Sequence, residues 1–157
     1  MKTAVYLTFN GNCRQAFAFY QKVFGVKADV FMTNAESPGK DTLPEDEHDR
    51  VMHTSLNIMN NSMHLMGSDT NSVMHGDKPF VVGNNCQICI MPESKTAAEE
   101  VYAALVADGG SADHPLENMF WGSYWGDLTD QFGIQWMIDV ALDPKLHETL
   151  MSQVKDL

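Results

Sequence analysis

Apolar residues along the chain alternate first with the period of a strand and then with that of a helix, and the same succession recurs in the second half. The opening run Thr3–Phe9 is rich in β-branched and aromatic residues and reads as a strand. Gly11 and Asn12 interrupt it, with Asn12 placed as an N-cap and Gln15 three positions on to answer it. From Cys13 to Phe24 the apolar positions Ala16, Phe17, Tyr20, Val23 and Phe24 fall on one helical face, and Gly25 stands where a left-handed terminating residue belongs. Val26–Met32, Val51–Met59 and Met63–Ser68 are expected to be strands. In the middle one, His53, Ser55 and Asn57 point one way while Met52, Thr54, Leu56 and Ile58 point the other.

The second half repeats this order. Asn85–Met91 reads as a strand, and Thr96 with Glu99 has the spacing of a capping box before a helix through Ala107 that Gly109-Gly110 closes. A shorter strand near Ala112–Leu116 leads into the hairpin Phe120-Trp121-Gly122-Ser123-Tyr124-Trp125-Gly126-Asp127-Leu128-Thr129, a turn at Asp130–Gly133, and a return strand over Ile134–Val140. Ala16, Phe17 and Tyr20 are matched at a constant offset by Val101, Tyr102 and Leu105. The chain therefore reads as a duplicated strand–helix–strand–strand–strand unit. The expected boundaries are module 1 at about 1–68, a linker at 69–83, module 2 at about 84–141 and an amphipathic C-terminal helix at 143–155. The fold class is α+β: two βαβββ modules whose curved, largely antiparallel sheets carry helices on one side and leave the other free to line a pocket. Residues 35–49, crowded with Glu36, Asp41, Glu45, Asp46, Glu47 and Asp49, read as a solvated excursion, because mobile carboxylates rarely form a preset metal site.

Composition narrows the function. The chain has 157 residues, 44% of them hydrophobic, with three Trp, enough for a folded core. Its net charge of −11 disfavours nucleic acid and anionic lipid as partners. No apolar run approaches membrane-spanning length, and Asn10 and Asn12 break the N-terminal run before a signal-peptide core could form. With three cysteines, an odd number, a reducing cytoplasm is the expected compartment.

Among candidate chemical groups, His53 and His64 lie on strands expected to be neighbours. Facing a cavity, they could orient a ligand, act as an acid–base pair, or hold a metal with a carboxylate; on a solvated face they would do none of these. Cys86-Gln87-Ile88-Cys89 has C-x-x-C spacing, but inside an expected strand, which sends the two thiols to opposite faces and suggests two buried, inert cysteines. Cys13, in the first turn of a helix, is the thiol best placed to be reactive, against a packing role. Met52, Met63, Met66 and Met137, with the Trp and Tyr residues of the hairpin, suit either an adaptable apolar pocket or ordinary core. No nucleophile elbow, P-loop or dinucleotide motif occurs.

Tyr6-Leu7-Thr8-Phe9-Asn10-Gly11-Asn12 with Ala16 and Phe19-Tyr20, and above all Trp121-Gly122…Thr129-Asp130…Phe132-Gly133…Trp136, resemble the PhnB-like branch of the vicinal oxygen chelate superfamily. That superfamily includes glyoxalase I, bleomycin-resistance proteins and extradiol dioxygenases. Gln131 departs from the resemblance, since relatives usually carry Pro there. The resemblance implies the glyoxalase/bleomycin-resistance/dioxygenase fold, a U-shaped pocket, a homodimer and, in the enzymes, a divalent metal. The metal is held by one ligand from the first and one from the last strand of each module. The corresponding places here, give or take one residue, are Val5, Met66, the neighbourhood of Cys86, and Met137. Val has no donor and a thioether suits hard or borderline ions badly, so no metal and no other cofactor is expected at the usual place. The pocket is expected to draw Val5, Leu7, His53, Ser55, His64 and Met66 from module 1. Module 2 is expected to add Cys86, Trp121, Tyr124, Trp125, Gln135 and Met137. The function so implied is binding of an unidentified small, apolar or aromatic molecule. A glyoxalase- or dioxygenase-type enzyme with a relocated metal or a His53/His64 pair, and a structural protein with a vestigial pocket, are the alternatives. The methyltransferase name that many relatives carry, demethylubiquinone methyltransferase, receives no support, because nothing resembles a methyl-donor cradle.

Overall fold

A computed structural model describes residues 3–76, 78–142 and 145. The elements run β1 (Ala4–Phe9), α1 (Cys13–Phe24), β2 (Val30–Thr33), β3 (Val51–Ile58), β4 (Met63–Asp69), a single-turn α2 (Ser72–His75), β5 (Ile88–Ile90), α3 (Lys95–Val106), β6 (Ser111–Asn118), β7 (Ser123–Thr129) and β8 (Gln135–Ala141). They form two four-stranded sheets, ordered β1-β4-β3-β2 and β5-β8-β7-β6. In each, the first strand runs parallel to the last and the other pairs are antiparallel. This is the mixed α+β, twice-repeated βαβββ architecture that the patterning implies. The chain divides into two compact units, Met1–Val81 and Val82–Leu157. Among the described residues no helix is long and apolar enough to cross a membrane. The helix expected over 143–155 lies outside the described residues, Lys145 apart.

In the first unit α1 lays Cys13, Ala16, Phe17 and Tyr20 on Leu7, Phe9, Leu56, Ile58 and Leu65 of the sheet, all buried. Phe17 meets Phe9 and Tyr20 edge-on at ring-centroid distances of 6.3 and 5.8 Å. Gly67 makes this approach possible: a Cβ there would lie 2.5 Å from the Phe17 ring. The start of α1 is capped from a distance. Asn12 makes no side-chain cap, contrary to its sequence position. Instead the buried Asp69 carboxylate accepts the Gly11 and Cys13 backbone N–H groups on Oδ1 (2.8 and 3.0 Å) and that of Val51 on Oδ2 (2.9 Å). One side chain thus ties the end of β4 to the start of α1 and of β3, with the charge at a helix N-terminus where it is favoured.

Several boundaries differ from those expected. β2 starts at Val30 because Val26 and Ala28 bond back to Gln21, through its carbonyl and its side-chain oxygen, instead of to the sheet. Residues 34–47 contain three 3₁₀ turns, and Glu47 is buried, accepting the Ser72 N–H and hydroxyl. The acidic excursion is therefore pinned to α2, and the stretch 69–83 is more than a linker. Hydrogen bonds from the Thr33 N–H and then its hydroxyl hold the Glu36 carboxyl below its usual range.

In the second unit α3 is capped by Ser94, whose Oγ accepts the Ala97 N–H, so the Thr96/Glu99 box is not used. Ala98 and Leu105 pack toward a core of Ile88, Ile90, Leu128, Trp136, Ile138 and Val140. The β7–β8 turn closes as anticipated, with Gly133 at φ 82° and its N–H on the Asp130 carbonyl. Asp130 is buried and accepts from Phe132 N, Ile134 N and Trp136 Nε1 at 2.8–3.0 Å, which fixes the indole inside.

Replacing Asp69 by Asn turns one acceptor oxygen into a donor facing backbone N–H groups. Asp69→Asn is expected to lower unfolding free energy by about 2 kcal/mol in urea titration; a loss below about 0.5 kcal/mol would show that water replaces the carboxylate.

Candidate functional site

Strand pairing decides which side chains share the face left open by each helix. In the first sheet Tyr6 pairs with Met66, Met66 with Ser55 and Ser55 with Val30, while His64 pairs with Asn57 and Met32 with His53. His53, Ser55, His64 and Met66 therefore lie on one open face, with Tyr6. Val5 and Leu7 do not. They pair with Leu65 and Gly67, whose face is covered by Phe17 of α1, so these two expected pocket residues point into the helix-side core. Tyr6 occupies the open face instead, its ring stacked on His53 at 5.9 Å and its hydroxyl 3.4 Å from His53 Nδ1.

The register also separates the two histidines. Asn57 opposes His64 and Thr54 opposes Gly67, which places His53 about four residues, or roughly 13 Å, along the sheet from His64. At that spacing the two imidazoles are not hydrogen-bonded to each other. His64 has a different distinction: its Nε2 is buried and has no protein hydrogen-bond partner among the described residues. A buried polar atom without a partner costs about 1–3 kcal/mol, so it asks for an explanation.

In the second sheet Trp125 pairs with Asp139, Asp127 with Met137, Met137 with Cys89, and Thr129 with Gln135. Trp125, Gln135 and Met137 thus share the open face with Cys89, Asp127 and Asp139. Trp121, in the loop before β7, meets Trp125 edge-on at 6.1 Å. Tyr124 lies on the other side: its hydroxyl donates to Glu99 of α3 at 3.0 Å and Lys95 Nζ sits 4.5 Å over its ring, so it leaves the expected pocket. The Glu99 bond pushes its phenol upward. Asp139 Oδ1 is the second buried atom without a protein partner among the described residues.

The cysteines reverse their expected roles. β5 is only three residues long and at a sheet edge, which leaves Cys86 outside the strand and both Cys86 and Cys89 exposed. Burial and then the Asp139 charge push the Cys89 thiol up. Cys13 is buried, and burial with the nearby Asp69 charge drives its thiol far above the ordinary range. The helix N-terminus does not activate it.

Sequence reasoning passed over His114 and Asp127. His114 Nδ1 lies 2.7 Å from Asp127 Oδ1, Gln87 Nε2 donates to Asp127 Oδ2 at 3.2 Å, and the imidazole lies 5.6 Å from the Trp125 ring. The signal was a His in an expected strand; its partner only appears with the β6–β7 register.

The chain belongs to the Glyoxalase/Bleomycin resistance protein/Dioxygenase superfamily, whose profile matches residues 4–138. It is similar to PA1353 from Pseudomonas aeruginosa, with 34% identity and a TM-score of 0.76, covering 91% of this chain and 99% of that one. The PhnB protein from Bacillus cereus shares the fold at a TM-score of 0.67 and 19% identity, over 90% of this chain and 100% of that one. Protein YjdN of Escherichia coli (strain K12) is 25% identical over 143 residues, 90% of this chain and 96% of its own length. The metal of the superfamily's enzymes needs several imidazole or carboxylate donors at one point. Among the described residues no three His, Cys, Asp or Glu side chains come together in that way.

Thiol labelling with a chromogenic disulfide reagent is expected to modify Cys86 fast, Cys89 more slowly and Cys13 only on unfolding. Asp139→Asn removes the charge that raises the Cys89 thiol and should speed its labelling near neutral pH. Fast labelling of Cys13 in the folded protein would contradict its burial.

Proposed function

We propose that this chain is a PhnB-like small-molecule binding protein that takes an apolar or aromatic compound on its open sheet faces, without the superfamily metal. The observation that carries this reading is the placement of two buried, unpartnered polar atoms, His64 Nε2 and Asp139 Oδ1, on those faces beside Tyr6, Met66, Met137 and Trp125. Adaptable thioethers and flat aromatic rings supply contact area, and a few aimed polar atoms supply orientation, which is how ligand sites are built. A ligand donor or acceptor at His64 would remove the penalty of its orphaned nitrogen.

One observation favours a second reading, a metal-dependent enzyme with relocated ligands. His64 is an imidazole on the last strand of its module, the strand that supplies a ligand in the superfamily's enzymes. We also infer a homodimer, supported by large apolar side chains left in solvent, Phe120 at 91% exposure and Tyr6 at 49%.

Thermal-shift and calorimetric titration against a panel of aromatic compounds is expected to give binders whose affinity falls about tenfold or more in His64→Ala where the first sheet's face holds them, or in Trp121→Ala where the second sheet's face does. Unchanged affinity in both variants would place the site elsewhere. Elemental analysis of the purified protein is expected to find no stoichiometric transition metal; a full equivalent, lost in His64→Ala together with turnover, would make the enzyme reading the better one. Light scattering should give twice the 17.5 kDa chain mass.

A further inference from the structure

We propose that His114 and Asp127 form a proton-accepting dyad on the open face of the β5–β8 sheet, and that it serves a flat aromatic ring bearing an acidic hydroxyl. The two residues face each other across β6 and β7, 2.7 Å apart. A carboxylate oxygen has only lone pairs to offer, so the shared hydrogen sits on Nδ1 and Nε2 is left as the ring's acceptor. Among the described residues no hydrogen bond reaches Nε2, and two-thirds of the His114 side chain (66%) is exposed, whereas that of Asp127 is nearly closed off at 12%. A buried carboxylate behind an accessible imidazole is the arrangement in which a base is both oriented and stabilised once protonated.

The local backbone is built around this pair. The β6–β7 register is interrupted on both sides of His114, between Ala112 and His114 and again between His114 and Glu117, and such bulges re-aim a side chain. Pro115 is tolerated there because β6 is an edge strand. Gly126 lets the bulged backbone come close, since a Cβ there would meet the His114 carbonyl oxygen at 2.9 Å and Leu116 N at 3.0 Å. From the opposite side the Tyr102 hydroxyl of α3 lies within hydrogen-bond distance of both the His114 carbonyl (2.9 Å) and the Asp127 carbonyl (3.3 Å). Gln87 occupies the second Asp127 oxygen. A bulge, a glycine, a tyrosine and an amide thus converge on holding one hydrogen-bond geometry, more than an ordinary surface contact requires.

The neighbouring indoles set the substrate class. His114 lies 5.6 Å from Trp125, which meets Trp121 edge-on at 70°, so a planar ring can stack on one indole with the other as its side wall and offer a hydroxyl on its edge to Nε2. The step balances within the site. The substrate O–H bond breaks, its proton forms an N–H bond at Nε2, the electron pair stays on the substrate oxygen, and Asp127 compensates the imidazolium; the reverse transfer restores both partners. The dyad stands on its own geometry, whether or not His64 takes part in binding.

Two measurements on the full chain test it. Long-range proton–nitrogen NMR of the His114 ring is expected to show hydrogen on Nδ1 in the free protein, and a ring protonated on Nε2 alone overturns the proposal. The second uses 4-nitrophenol, whose ionised form absorbs visibly, with its methyl ether 4-nitroanisole as a probe lacking the proton. The wild type is expected to raise the ionised fraction of the bound phenol and to bind the ether about tenfold or more weakly, the worth of one good hydrogen bond. His114→Gln, at an exposed position, should fold normally and lose that rise. Equal binding of phenol and ether, an ionised fraction unchanged by His114→Gln, or a wild type that binds neither probe would each overturn it.

Discussion

The ring of Phe17 lies over Gly67, and the open face of the first sheet follows from that contact. A strand residue can point to only one of two sides, so once α1 covers the side of Gly67, every residue in register with it is committed inward. Val5, Leu7 and Leu65 go to the helix, and Tyr6, His53, Ser55, His64 and Met66 go to the other face. A shift of one residue would exchange the two sets. In the second unit, with the β5–β8 sheet, α3 imposes the same rule through Tyr124 and Glu99, which leaves Trp125, Met137 and Asp139 open.

The buried polar groups divide into two kinds. Asp69 and Asp130 each accept at least three hydrogen bonds, mostly from backbone N–H groups, and both act as fasteners: one at the junction of α1, β3 and β4, the other in the β7–β8 turn. Their charges cost little because the surrounding donors replace water. His64 Nε2 and Asp139 Oδ1 have no such replacement among the described residues. Folding has satisfied the polar groups that hold the structure and left two that do not.

The His114–Asp127 pair belongs to neither kind. It is satisfied on one side and open on the other, and the strands around it are distorted to keep it so. Regular pairing would be the lower-energy default for β6, and a bulge flanking a histidine gives up ladder bonds. An aromatic surface beside it and an acidic oxygen behind it make the imidazole a base with a defined direction. The cysteines, by contrast, exchange their expected places: Cys13, expected to be the accessible thiol, is sealed in the core, while Cys86 and Cys89, expected buried, are exposed.

Local periodicity was sufficient for the order of elements. Alternation marked β3 and β4, the helical stripe marked α1, and Asp130–Gly133 marked the hairpin, because these signals come from residues close in sequence. The recurrence of that order in the two halves carried the fold class, and the hairpin motif carried the family. The face of each strand in the sheet was beyond reach for Val5, Leu7 and Tyr124, since burial by a helix depends on how distant segments dock. The Asp69 cap and the Asp127 partner of His114 were invisible for the same reason. Both are long-range hydrogen bonds, and a lone sequence holds no information on which N–H or imidazole a carboxylate will meet until the strands have paired.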